Sequence, residues 1–113
     1  MIMWTQLMAA TVALFMQAPL HFYQAEASLA PNQQQVIDLQ PAKLKEVLYV
    51  QVQGSGGGDL DCYLLVNHRI VSKDEGNADM CYLGMYVNTN KPIKLWIVNH
   101  GKYPTHFQAR VDQ

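Results

Sequence analysis

Two cysteines, Cys62 and Cys81, each stand inside a short segment whose side chains alternate in the manner of a β-strand. In Leu60-Asp61-Cys62-Tyr63-Leu64-Leu65-Val66, the residues Leu60, Cys62 and Leu64 share one pleat face, and Asp61, Tyr63 and Leu65 share the other. Cys81-Tyr82-Leu83-Gly84-Met85-Tyr86-Val87 is a similar setting. The pattern predicts a Cys62–Cys81 disulfide clasping two neighbouring strands. Closing a loop of about twenty residues restricts the unfolded chain by about 3 kcal/mol in the chain-entropy account. The alternative is a pair of buried free thiols, which pack as small hydrophobes.

The rest of the chain reads in the same way. Val36–Leu39 forms a short first strand, and Glu46–Gln53 a second with Leu48, Val50 and Val52 inward. Ile70–Ser72 pairs back after a turn at Asn67-His68-Arg69. Met80–Val87 follows, then Ile93–Asn99, which is apolar on both faces as a central strand would be. Thr105–Asp112 alternates with Phe107, Ala109 and Val111 inward. Gly54-Ser55-Gly56-Gly57-Gly58 joins two strands; no Gly-Lys-Ser/Thr follows it, and it does not open a helix, so it is a hairpin or crossover loop rather than a phosphate cradle. Strands separated by short Gly, Pro and Asn turns, with no helix, predict an all-β fold: a small antiparallel β-sandwich of jelly-roll type.

The N-terminus has a different character. Leu7–Met16 is an apolar run of h-region length, too short to span a bilayer, and Ala25-Glu26-Ala27 offers small residues at a cleavage site. No Lys or Arg precedes the run. The expected division is a signal peptide over 1–27, a flexible lead-in over 28–35 and a sandwich domain over 36–113, with retention of the segment as an anchor as the alternative. Cleavage would leave no stable membrane span and a secreted or periplasmic protein. That compartment permits the disulfide, and a small domain benefits from such a staple.

Charge and motif content narrow the function. The formal net charge of 113 residues is −1, with no basic run, which argues against nucleic acid as a partner. The chain has no Gly-x-Ser-x-Gly and no His-Glu-x-x-His, and none of its serines stands beside a candidate base. Asp61 next to Cys62 would raise a thiol pKa rather than lower it. An enzyme is not expected.

At Gly58-Asp59-Leu60-Asp61-Cys62-Tyr63-Leu64 the chain resembles the bacterial pre-peptidase C-terminal domain, whose motif Gly-Asp-x-Asp-Leu-Tyr enters a strand. Asp59, Asp61 and Tyr63 match motif positions; position 62 is Cys where that family has Leu. Asn77–Cys81 is similar to the family's later loop, and Leu95–Asn99 to its penultimate strand. The resemblance implies a secreted β-sandwich (jelly-roll-like) accessory module, some members of which hold calcium.

Three sets of residues could carry a function. Asp59, Asp61 and Asp79 lie beside the two cysteines, and a disulfide would draw their hard oxygen ligands towards one calcium ion; solvated loop carboxylates are the plainer reading. Tyr63, Tyr82, Tyr86 and Trp96 project from the pleat face opposite Cys62, Cys81 and Leu95. They form a candidate aromatic platform for sugar rings or another protein, unless they fill a second core or lie under the N-terminal segment. His68, His100 and His106 fall in turns or on outward faces and read as surface residues. The expected function is a secreted, non-catalytic module that binds an extracellular or envelope protein or polysaccharide. Its rivals are a calcium-binding structural domain and a small hydrolase inhibitor or hydrolase working through Asp59 and Asp61.

Overall fold

The computed structural model describes residues 22–39, 44–89 and 91–112. Among these residues, eight strands follow one another without a helix: β1 Phe22–Leu29, β2 Gln34–Leu39, β3 Leu44–Gln53, β4 Leu60–Val66, β5 Arg69–Asp74, β6 Met80–Thr89, β7 Ile93–Asn99 and β8 Thr105–Asp112. They form two four-stranded antiparallel sheets, ordered β1-β8-β3-β6 and β2-β7-β4-β5. The fold is the expected all-β sandwich.

The inward set of β3 is the one its alternation predicts, with Leu48, Val50 and Val52 at most 1% exposed. The alternation of β8 holds in the same way, burying Phe107, Ala109 and Val111. From the other sheet, Leu60, Cys62, Leu64, Ile93, Leu95 and Ile97 meet them in one cluster. Strand β7 runs between β2 and β4, and the burial of Val98 on its outer face accounts for an apolar pattern on both sides.

Two expectations are corrected. Residues 28–35 are not a lead-in. Ser28 and Leu29 end β1, and the chain then turns over Ala30–Gln33 into β2. Gln33 N–H donates to Ala30 O at 3.1 Å, Ala30 N–H donates to Gln33 Oε1 at 2.9 Å, and Asn32 takes a left-handed φ of 65°. The strand before that turn pairs with β8 from Phe22↔Asp112 to Leu29↔Thr105, and Ala25, Ala27 and Leu29 are core residues at 5%, 1% and 0% exposure. The boundary at 27/28 therefore falls inside a buried strand. Residues 1–21, and the rest of the export reading with them, lie outside the described residues.

The second correction concerns the staple. Cys62 and Cys81 are bonded, with Cα atoms 6.1 Å apart and no exposure. They do not join neighbouring strands, however. Strand β4 belongs to one sheet and β6 to the other, so the bond ties the two layers of the sandwich together.

The β4–β5 hairpin turns at Asn67 and His68, with φ of 51° and 66°. Positive φ at both central positions is the turn that matches the twist of paired strands. Placing His68 there fixes it as a turn residue.

Candidate functional site

Sheet membership divides the four aromatic residues into two groups. Tyr63 on β4 and Trp96 on β7 are direct register partners on the outer face of β2-β7-β4-β5. Their ring centroids are 4.7 Å apart with a 34° tilt. Tyr63 is only 9% exposed, and its hydroxyl donates to Glu75 Oε2 at 2.6 Å. That hydrogen bond, followed by burial and the nearby charges of Glu75 and Asp61, pushes the phenol up to about 12. The Trp96 indole N–H donates to Gln34 Oε1 at 2.9 Å. Both polar tips are committed within the protein, so this pair braces its own sheet.

Tyr82 and Tyr86 lie on β6, on the outer face of the opposite sheet, and are 63% and 60% exposed. A third tyrosine joins them. Tyr49 on β3 is 58% exposed and is the register partner of Gly84, the residue between Tyr82 and Tyr86 on that face. A Cβ on Gly84 would lie 3.5 Å from the Tyr49 ring, so the ring rests against the space the missing side chain leaves. Register extends the face in rows: Tyr82 opposes Gln51 and Gln51 opposes Arg110, Tyr49 also opposes Asp112, and Tyr86 opposes Val47, itself 40% exposed. Arg110 Nε donates to Asp112 Oδ2 at 3.1 Å at the border of the cluster. The surface is three rings around a gap with amide, guanidinium and carboxylate groups alongside. Tyr49 was readable in the sequence as an outward residue of β3, but nothing local placed it beside Gly84.

The aspartates divide as well. Asp79 belongs to the glycine loop: Gly56 N–H donates to its Oδ2 at 2.6 Å, and the Thr105 hydroxyl donates to the same oxygen at 2.9 Å. A Cβ at Gly58 would lie 2.7 Å from both Asp79 Oδ1 and the Thr105 side chain, and one at Gly54 would overlap the Asp79 carboxylate. The glycines are there to admit that carboxylate. Asp61 instead faces His100, whose Nε2 is 3.3 Å from its Oδ2. Buried Oδ1 atoms of Asp59, Asp61 and Asp79 make no hydrogen bond. Among the described residues, no three His, Cys, Asp or Glu side chains converge on a point where a metal ion could be held, so the three aspartates expected to bind calcium do not form one donor set.

Burial raises the pKa of Asp61, and His100 only partly offsets this; the remaining contributions, from Asp59, Glu75 and Asp74, also raise it. The folded state thus holds the Asp61 proton more tightly than the unfolded chain, and stability falls as pH rises through the window between the two pKa values. Asp61→Asn removes that loss. It should raise the melting temperature near pH 7 and leave it close to the parent's at about pH 3, where the carboxyl is protonated in both states. Equal melting temperatures at both pH values would show that Asp61 ionises without cost.

At the same end of the sandwich, the buried Asn99 side chain binds two loops together. Its Nδ2 donates to Leu29 O at 3.1 Å and Tyr103 O at 2.9 Å, and its Oδ1 accepts from Gly101 N–H at 2.9 Å and Asp59 N–H at 3.2 Å. Ser55 N–H donates to the Thr105 hydroxyl at 3.2 Å, and His106 N–H to the Ser55 hydroxyl at 3.1 Å. The loop 100–104 carries Tyr103, 66% exposed. His106 lies on the outward face, with Nδ1 2.9 Å from the Ser28 hydroxyl and Nε2 3.4 Å from Glu26.

No family and no curated protein matches the sequence. Solved structures share the fold at low identity. A mitogen derived from Yersinia pseudotuberculosis is 10% identical, with a TM-score of 0.65 over 80% of this chain and 84% of that one. PliG of Aeromonas hydrophila, a periplasmic lysozyme inhibitor of g-type lysozyme, is 10% identical, with a TM-score of 0.58 over 91% of this chain and 95% of its own. PirA is 13% identical, with a TM-score of 0.52 over 76% of this chain and 90% of that one. These likenesses support a small antiparallel β-sandwich.

Proposed function

We propose that this chain is a secreted or periplasmic, non-catalytic binding module whose working surface is the tyrosine face around Gly84, and that its ligand is an extracellular or envelope polysaccharide. One observation carries the reading: Tyr49, Tyr82 and Tyr86, each more than half exposed, surround one side-chain-free gap. Such rings offer flat apolar surfaces to the C–H faces of sugar rings, while the Gln51 amide beside them offers a donor and an acceptor to hydroxyls. Exposed aromatic rings clustered on one face, with polar groups at their border, suit a binding surface.

Affinity electrophoresis through gels carrying envelope and extracellular polysaccharides tests this. The parent should be retarded by at least one glycan. Tyr49→Ala and Tyr82→Ala, each shown folded by circular dichroism, should weaken that retardation about tenfold, a difference of about 1.4 kcal/mol. Trp96→Phe, on the opposite sheet, should leave it unchanged. Retardation of the tyrosine variants equal to the parent's would refute the reading.

A second reading, inhibition of a hydrolase, draws on the braced loop end. Asn99, Asp79 and Thr105 hold the loops 54–58 and 100–104 in place and present Tyr103, and preorganised loops lower the cost of ordering on binding. PliG, of similar fold, is a lysozyme inhibitor. If no glycan retards the parent while it inhibits a g-type lysozyme in a way that Tyr103→Ala abolishes, this second reading replaces the first.

A further inference from the structure

Four strands lie at sheet edges: β1, β2, β5 and β6. Exposed edges invite pairing with another strand, and proteins blunt them with charges, prolines, bulges or short length. Strand β1 carries Glu26 and β2 carries Asp38; β5 carries Arg69, Lys73 and Asp74 and pairs through an irregularity at Leu64/Leu65. Strand β6, Met80-Cys-Tyr-Leu-Gly-Met-Tyr-Val-Asn-Thr89, is the longest of the four and has no charge and no proline.

Its hydrogen-bonding directions are set by observed partners. Asp79 O accepts from Gly54 N–H on the β3 side, whereas Ala78 O accepts from Leu60 N–H, and Tyr82 N–H donates to Asp74 Oδ2 at 2.8 Å, away from β3. Even-numbered residues of β6 therefore direct their amide and carbonyl groups outward. Leu60 and Asp74 cover this edge as far as Tyr82. Beyond it, among the described residues, no hydrogen bond engages the outward groups of Gly84 and Tyr86.

We infer that this open half of β6 pairs with the same half of a second copy of the chain, antiparallel about a two-fold axis through Tyr86. Gly84 then opposes Asn88 of the second copy, and the two Tyr86 residues oppose each other. The two sheets join into one of eight strands, with the tyrosine faces of both copies on the same side. Charge does not oppose self-pairing, because the uncharged strand brings no like charges together across the two-fold axis. One short strand pair buries little area, so the dimer is weak and concentration-dependent. This pairing does not depend on a polysaccharide ligand.

Sedimentation equilibrium of the full chain, without ligand and from about 10 μM to about 1 mM, should show a rise from monomer to dimer mass. Gly84→Pro removes one outward donor without touching the β3 ladder and should hold the protein at monomer mass over the same range, as should Tyr86→Lys. In the parent itself, amide exchange at Gly84 and Tyr86 should slow as concentration rises, while that of Tyr82, already bonded, stays constant. A parent that remains monomeric throughout overturns the pairing. So does a dimer that persists in the folded variants, or exchange at Gly84 and Tyr86 that ignores concentration.

Discussion

A chain that begins at Ser28 is expected to be unfolded at room temperature, whereas one that begins at Phe22 folds cooperatively. The shorter chain loses Ala25 and Ala27 from the core and most of the β1–β8 ladder, whose register runs from Phe22↔Asp112 to Leu29↔Thr105. Ala25 shares a crevice with Ile37, Leu39, Leu95, Ala109 and Val111, so its strand is also the lid over those side chains. Full burial of a large aliphatic residue contributes about 1.5–3 kcal/mol. Partial exposure of four of them, added to the lost burial of Ala25 and Ala27 and the lost β1–β8 ladder, is comparable with the roughly 5–15 kcal/mol that holds a domain of this kind together. Circular dichroism melts of the two chains decide the matter, and equal melting temperatures would show that β1 is dispensable. The same argument bears on processing: folded protein recovered from the envelope or medium should begin at or before Phe22. Folded protein with Ser28 at its N-terminus would contradict the position of β1.

Replacing both cysteines, Cys62→Ala with Cys81→Ala, should lower stability by about 3 kcal/mol and the melting temperature by roughly 12–24 °C. The bond links β4 in one sheet to β6 in the other, so in the unfolded chain it joins segments that would otherwise be free to separate. Because both residues are fully buried, each alanine also leaves a small cavity where the sulfur stood, which adds to the loss. Thermal melts with and without reductant separate the two contributions. The reduced parent loses only the crosslink, and the double variant loses the sulfur volume too. A melting temperature unchanged by reduction would mean that sheet packing alone sets the stability.

The misreading of β1 has a physical origin. Ala25, Ala27 and Leu29 point inward and Gln24, Glu26 and Ser28 outward or sideways, which is strand alternation. Alanine, however, has little β-propensity, and Ala25-Glu26-Ala27 behind an apolar run is also the form of a cleavage site. Strand β8 resolves the ambiguity by providing a partner for every residue of β1, and that partner lies at the other end of the chain.

The glycine loop shows the same division. That Gly54–Gly58 interrupts a strand could be read from its composition, but the reason for glycine there is the Asp79 carboxylate and Thr105 side chain packed against the loop, both distant in sequence. Likewise Asp59, Asp61 and Asp79 each stand close in the sequence to one of the bonded cysteines. In the fold Asp61 turns to His100 and Asp79 to Gly56.

Within each strand, the two-residue period is a local property of the backbone, and it determined from sequence alone which side chains face inward: Leu48, Val50 and Val52 on β3, Phe107, Ala109 and Val111 on β8, Cys62 and Cys81 on β4 and β6. Sheet order is not local, because it depends on which distant strands exchange backbone hydrogen bonds, and only the tertiary structure decided it. Tyr63 and Trp96 therefore share one outer face and Tyr82 and Tyr86 the other, although all four occupy equivalent positions along their strands. Pairing β3 with β6 is what sets Tyr49 beside Gly84 and assembles three exposed rings from two segments that the sequence keeps apart.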